Sequence, residues 1–275
     1  MLIRYGFNIE IELTQPAAVV TAMDVHSSAR GDILREQDFR VSQPIFVGTF
    51  TDAQGNVLRR FNAQPGRINL DLDGIYECDG RHDVIDANAD VTPVNDVPLD
   101  VLPFLQGSRY CETDLLSDLA WRQFGNIQGG WSKVQAVCDF VHNALYFDYQ
   151  NARPTRTAAQ ALEEGTGVCR DFTHLAMTLC RCLNIPARYC NGYLGDIGVP
   201  PDPAPMDFNA WFEVFLGGRW FTFDARHNQP RIGRILIARG RDAADIPMIA
   251  TFGSHWLKAF SVVTEEIKEA ASIAA

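Results

Sequence analysis

A turn followed at once by a helix, in the stretch Gly165-Thr-Gly-Val-Cys169, constrains the fold of this chain more than any other feature. Glycine reaches backbone conformations that are closed to other residues, so Gly165 and Gly167 predict a tight turn before Cys169. The apolar residues that follow recur at the spacing of one helix face, and they are Ala176, Leu179, Cys180 and Leu183. The pattern predicts a helix whose first turn carries Cys169.

The position of Cys169 is one that favours a reactive sulfur. Unpaired backbone N–H groups and the helix dipole stabilise a negative charge in the first turn of a helix, and Arg170 adds positive charge nearby. We therefore expect a thiolate nucleophile at Cys169. The alternative is a small core residue, which is the commoner role of a cysteine beside an apolar stripe.

Composition excludes several classes of partner. The chain has 275 residues, enough for two domains, and a formal net charge of -10. An acidic surface gains nothing from nucleic acid or an anionic membrane, so neither partner is expected. No apolar run approaches the roughly 20 residues that cross a bilayer, and the first residues lack the pattern of a signal peptide. These features predict a cytoplasmic protein.

The seven cysteines do not form a metal-binding pattern. Cys180 and Cys182 are separated by one residue, and no second pair or nearby histidine completes a zinc site. We expect reduced thiols, no metal and no cofactor.

The first hundred residues carry the periodicity of strands. Residues 2–13 alternate apolar and polar side chains, which is typical of a half-buried antiparallel strand. Turn residues separate four further strand-like runs at 17–25, 44–51, 57–61 and 68–76. Short strands at this spacing predict a β-sandwich-like domain over residues 1–97.

A proline-rich linker at 93–103 precedes a second domain, predicted over residues 98–275, in which the period changes to that of helices. His142 falls within a helical pattern and is predicted to be a surface or hydrogen-bonded histidine. The residues from about Thr264 to the end predict a surface helix or a frayed end. The predicted elements are helices at 115–124, 131–145 and 157–163, a strand at 186–194, a stiff loop at 199–205, and a hairpin of strands 209–215 and 220–224.

Three motifs in this order resemble the transglutaminase-like superfamily of papain-type folds. They are Gly-Val-Cys169-Arg-Asp-Phe at the helix start, Ala210-Trp-x-Glu-Val on one strand, and Gly-Gly-x-Trp-x-x-Phe-Asp224 on the next. The likeness covers about residues 100–240, and the strand-rich first hundred residues resemble the amino-terminal region of bacterial transglutaminase-like proteins that are candidate cysteine proteases. The resemblance implies an α+β fold with a papain-like core, a nucleophile at Cys169, an imidazole before Ala210, and an acid at Asp224 that orients it.

The chain departs from the family at one residue, because Asn209 stands where the family has histidine. An amide accepts no proton near neutral pH, although it can still donate a hydrogen bond to Asp224. The chain is thus either a naturally inactive relative or an otherwise active enzyme in which Asn209 is an introduced substitution. Two histidines are possible substitutes: His174, which helix geometry turns away from Cys169, and His227, which requires the chain to fold back.

The sequence therefore predicts a thiol hydrolase or acyltransferase that acts on peptide or isopeptide amides, strongly impaired by Asn209. Cys169, Asn209 and Asp224 form the predicted site, and the partner is a peptide or protein amide. Two alternatives stay open, a non-catalytic peptide-binding module on the same fold and a structural scaffold.

Overall fold

The alternating residues at the beginning of the chain form β1 (Leu2–Leu13), the central strand of the amino-terminal region. In the computed structural model, which describes residues 1–268, the Ile3, Tyr5 and Ile9 side chains are fully buried. β1 pairs antiparallel with β7 (Gly66–Glu77) on one side and with β15 (His255–Glu266) on the other. The predicted half-buried strand is therefore covered along both edges.

The other strands of this region are short. They are β2 (Ala17–Thr21), β3 (Ile33–Glu36), β4 (Arg40–Val41), β5 (Gly48–Thr51), β6 (Val57–Ala63) and β14 (Ile249–Thr251). One sheet has the order β15-β1-β7-β3, with β4 also paired to β7, and the second has the order β14-β2-β6-β5. The predicted strand at 44–51 begins only at Gly48, because the chain turns before it, where the Ile45 N–H donates to the Gln43 carbonyl at 2.9 Å.

The second half of the described chain contains the helices and a sheet of its own. The helices are α1 (Thr113–Phe124), α2 (Gly130–Ala144), α3 (Ala158–Glu164) and α4 (Cys169–Cys182). Two short strands, β8 (Tyr146–Phe147) and β9 (Thr166–Gly167), pair in parallel. The sheet is antiparallel with the order β12-β11-β10-β13, and its strands are β10 (Ala187–Tyr193), β11 (Asn209–Leu216), β12 (Arg219–Phe223) and β13 (Ile235–Gly240). The α+β class predicted from the sequence is confirmed.

The cysteine helix lies at the centre of this half. Every residue of α4 from Asp171 to Cys182 is buried, because α1, α2 and α3 contact one side of it and β10 and β11 the other. The apolar stripe that the sequence predicts is thus part of a helix surrounded on all sides. Burial of that kind holds Cys169 in a fixed position relative to the sheet.

The hairpin of β11 and β12 forms as predicted around a two-residue turn. Gly217 and Gly218 have φ angles of 53° and 85°, the left-handed conformation that such turns require. Phe212 pairs with Phe223, which sets the register of the two strands.

The carboxyl-terminal strands return to the amino-terminal sheets, since β14 pairs with β2 and β15 with β1. A helix from Thr264 is wrong, because residues 264–266 belong to β15. That strand has a full antiparallel partner in β1, and this pairing overrides the helical preference of the local sequence. The rest of the predicted tail helix, from residue 269, lies outside the described residues, and the division at residue 97 stays a prediction.

Candidate active site

The start of α4 is built around Asp171. Its Oδ2 accepts the N–H of Val168 at 3.0 Å and pairs with Arg156 at 3.1 Å. Gly167 is needed for close approach, since a Cβ there would lie 2.6 Å from the Cβ of Asp171. Gly165 takes the left-handed conformation, with φ of 65°, and ends α3. The two glycines thus deliver Cys169 to the first position of the helix.

Cys169 is half-buried and lines a cavity of about 320 Å³ together with Asn209, Ala210 and Asn191. Burial raises the pKa of its thiol to about 11, although Arg226 acts in the opposite direction. Burial thus opposes the thiolate that the helix start favours, and a thiolate nucleophile at Cys169 stays a prediction.

Arg170 is held beside Asp171 and the Tyr110 ring. Its Nη2 donates to Asp171 Oδ1 at 3.1 Å, and its guanidinium lies 5.4 Å from the centre of the Tyr110 ring. Asp171 thus pairs with both Arg170 and Arg156. One nitrogen, Arg170 Nε, is buried without a hydrogen-bond partner, as is Asn191 Oδ1 in the same cavity.

Asn209 is buried, and its amide is held on both sides. Its Nδ2 donates to the carbonyl oxygens of Leu194 and Asp207, each at 3.3 Å, and its Oδ1 accepts from Arg226 at 3.2 Å. The expected hydrogen bond from Asn209 to Asp224 does not form. Arg226 joins the two residues instead, because its backbone N–H donates to Asp224 Oδ1 at 3.1 Å.

Asp224 is buried and bound to an imidazole after all. His227 Nδ1 lies 2.8 Å from Asp224 Oδ2, and Arg234 donates to the same oxygen at 3.0 Å. Burial by itself raises the pKa of Asp224, but the contacts with His227 and Arg234 outweigh it and hold the pKa well below its ordinary range. His227 thus contacts Asp224, the acid that the family resemblance pairs with a histidine at position 209, from three residues along the chain, but it does not line the Cys169 cavity.

Two other histidines are accounted for by packing. His174 is fully buried between the Tyr110 and Tyr189 rings, and its Nε2 accepts the N–H of Ala243 at 3.2 Å. Burial lowers its pKa well below the ordinary value, so it is neutral. His142 Nδ1 donates to the Arg226 carbonyl at 2.9 Å, which agrees with the prediction of a hydrogen-bonded histidine.

The sequence analysis missed Asp207. It lines the Cys169 cavity and also a neighbouring cavity of about 380 Å³ that contains Tyr149, Arg226 and His227. Burial raises the pKa of Asp207, and its negative charge in turn raises that of Cys169. The available signal was its spacing: a residue two positions before Asn209 in an extended segment points to the same side.

All seven cysteines are free, and among residues 1–268 no group of three or more His, Cys, Asp or Glu side chains is arranged to hold a metal ion. In the same range no helix has both the length and the apolar character needed to cross a bilayer.

Similarity to known proteins agrees with this geometry. The model of the transglutaminase-like superfamily matches residues 118–225, which include Cys169, Asn209 and Asp224. An uncharacterized protein of Mycobacterium leprae is 30% identical over 109 residues, and one of Mycobacterium tuberculosis is 29% identical over 127 residues. These matches cover 38% and 42% of this chain but only 39% and 40% of the two mycobacterial proteins.

One solved structure resembles the whole chain. It is that of a candidate cysteine protease from Cytophaga hutchinsonii, 30% identical, with a TM-score of 0.82. The likeness covers 99% of this chain and 92% of that one, so it includes the amino-terminal sheets as well as the cysteine helix. The chain therefore belongs to the transglutaminase-like superfamily.

Proposed function

We propose that the chain is a thiol hydrolase or acyltransferase that acts on peptide or isopeptide amides through Cys169, with activity strongly reduced by Asn209. The observation that carries the proposal is the cavity in which Cys169 faces Asn209 and Ala210 at the start of a buried helix. The same cavity offers an unpaired acceptor, Asn191 Oδ1, and an unpaired donor, Arg170 Nε. A peptide amide carries one donor and one acceptor, so it suits this pair.

The reaction needs a base that removes the thiol proton. The sulfur then attacks the amide carbonyl, the C–N bond breaks, and the proton passes to the departing amine. Water releases the acyl group as an acid, whereas a second amine takes it as a new amide. Asn209 cannot accept the proton, and a thiol with a pKa of about 11 seldom loses it near neutral pH.

His227 is the candidate for residual base catalysis. Its Nδ1 is bonded to Asp224, which leaves Nε2 as the nitrogen that can accept a proton. It lines the cavity next to that of Cys169, and both cavities share Asn209 and Asp207. We assign His227 this secondary role, and it is tested separately from Asn209.

The rate of Cys169 alkylation by iodoacetamide against pH, followed by site-resolved mass spectrometry, tests the proposal. Asn209→His should lower the apparent pKa of Cys169 below the reference of about 8.5. It should also speed the acylation burst with p-nitrophenyl acetate by 100-fold or more, since loss of a triad member costs about 10⁴-fold. Asn209→Gln is the matched control, because it keeps an amide and adds no imidazole.

His227→Gln separates the two sources of base. If His227→Gln is alkylated even more slowly than the unchanged chain, the residual base is His227. If the two rates are equal, His227 does not have that role. If Asn209→His alters neither the pKa nor the burst, catalysis through Cys169 is refuted.

A non-catalytic peptide-binding module is the second candidate. The observation that favours it is the hydrogen bonding of the Asn209 amide in the cavity wall. This amide bonds to Leu194, Asp207 and Arg226. This function predicts saturable peptide binding in Cys169→Ala and no acylation burst in Asn209→His.

A further inference from the structure

A third cavity, of about 300 Å³, shares no lining residue with the Cys169 cavity. It is bounded by residues 78–84, by β12 and by residues 231–234, and the His82–Ile232 bridge joins two of these segments. Its lining holds four arginines but two carboxylates, in a chain whose net charge is -10. The charged lining residues are Arg81, Arg219, Arg231, Arg234, Asp79 and Asp83.

Arg234 is more than nine-tenths buried and keeps one donor free. Its Nε donates to both oxygens of Asp83, at 3.0 and 3.1 Å, and its Nη2 donates to Asp224. Its Nη1 is buried and has no hydrogen-bond partner. A buried guanidinium with an unmade hydrogen bond is costly, so a partner for Nη1 is expected.

Arg231, also more than nine-tenths buried, repeats this pattern. Its Nη2 donates to the Gly195 carbonyl at 2.8 Å and lies 3.7 Å from Asp196, whereas its Nε is buried without a partner. Burial and the nearby charge of Arg234 lower the pKa of Arg231. Asp83, Asp196 and Asp224 lie against these two arginines, and yet one donor of each guanidinium has no partner.

The two exposed arginines lie at the rim. Arg219 pairs with Asp86 at 2.8 Å and stacks over the Phe221 ring at 4.4 Å, and Arg81 is exposed to solvent. A guanidinium presents several donors in one plane, which matches the oxygens of a carboxylate or a phosphate.

We propose that this cavity binds a small oxyanion, a carboxylate or a phosphate, between the free donors of Arg231 and Arg234. The bound anion would accept from Arg234 Nη1 while Asp224 keeps Nη2. The site is therefore separate from the Cys169 cavity but shares one arginine with the acid of the candidate active site. The proposal stands whether or not Cys169 is catalytic.

Titration of the whole chain with inorganic phosphate and, separately, with malonate tests this site. Calorimetry at constant ionic strength, with potassium chloride as the balancing salt, should give saturable binding with a Kd of about 1 mM or lower for one of the two. The same anion should raise the unfolding midpoint, and it should shift the Nε–H resonance of Arg231 in an NMR spectrum.

The rim arginines provide variants that leave the buried network in place. Arg81→Gln combined with Arg219→Gln should weaken binding at least tenfold, since it removes two of the four lining cations. Arg67→Gln is the matched control, because Arg67 is an exposed arginine of β7 that pairs with Glu10 and does not line this cavity. Tighter binding of phosphate or of malonate identifies the chemistry of the ligand. The absence of saturable binding by both, up to about 20 mM, would overturn the proposal.

Discussion

Two buried pairs of aspartate and arginine, one in each half of the molecule, differ in how completely their hydrogen bonds are made. In the amino-terminal region Arg59 donates its Nε and Nη2 to both oxygens of Asp24, at 2.6 to 3.0 Å. In the other half Asp224 is shared among His227, Arg226 and Arg234, and Arg234 keeps a free nitrogen. The Asp24–Arg59 pair is complete and stabilises the fold. In the Asp224 group, by contrast, Arg234 Nη1 is a free hydrogen-bond donor that a substrate or ligand can accept from.

Loss of the complete pair should have the largest effect on stability. Asp24 is fully buried, so Asp24→Asn leaves the Arg59 charge without its counter-charge and should lower the free energy of unfolding by about 3–5 kcal/mol. Urea unfolding measures this. Cys169 alkylation in the folded variant should be unchanged, and a change would show that the two regions are not independent.

Loss of the shared acid should have a smaller, pH-dependent effect. The pKa of Asp224 is held below its ordinary value in the folded chain, so its ionised form stabilises the fold at pH values above the unfolded pKa of about 3.9. Asp224→Asn should cost about 2–3 kcal/mol at neutral pH. The difference from the unchanged chain should shrink as pH falls below about 4, because the unfolded chain then binds a proton at Asp224 while the folded chain still keeps that carboxylate ionised.

Urea unfolding between pH 7 and pH 3 follows this difference. A gap between the two proteins that stays constant down to pH 3 would contradict the depressed pKa. Unlike Asp24→Asn, Asp224→Asn should also change the alkylation of Cys169, since it releases His227 and Arg226.

Asp207 tests the electrostatics of the thiol cavity. Its negative charge raises the pKa of Cys169, so Asp207→Asn should lower that pKa and speed alkylation at pH 8 by up to about tenfold. Asp202→Asn is the control, because Asp202 is exposed and lines only the neighbouring cavity. Slower alkylation in Asp207→Asn would assign Asp207 a role as proton acceptor instead.

The smallest effect is expected at the edge of the complete pair. Arg30 lies 4.0 Å from Asp24 and 3.1 Å from Glu36, but its side chain is 42% exposed. Arg30→Gln should therefore cost less than about 1 kcal/mol in urea unfolding. A loss of unfolding free energy as large as that of Asp24→Asn would mean that Asp24 needs Arg30 as well as Arg59.

Local sequence patterns predicted the elements that carry the site. The glycines before Cys169 and in the Gly217–Gly218 turn set the backbone conformation of the residues next to them. The cysteine helix and the hairpin could therefore be predicted from the local sequence. The bond between His227 and Asp224 could not, because it depends on how the chain turns after β12. The raised pKa of Cys169 likewise comes from elements that surround α4 and are distant in sequence.

The pairing of β1 with β15 has a consequence for synthesis of the protein. Ile3 lies opposite Glu266, so one edge of the first strand stays open on the nascent chain until nearly all of the described residues have left the ribosome. β7 can cover the other edge much earlier. Such distant contacts slow folding, and an open strand edge with alternating apolar side chains favours aggregation. Chaperone binding to nascent chains that end before β15 would protect this edge.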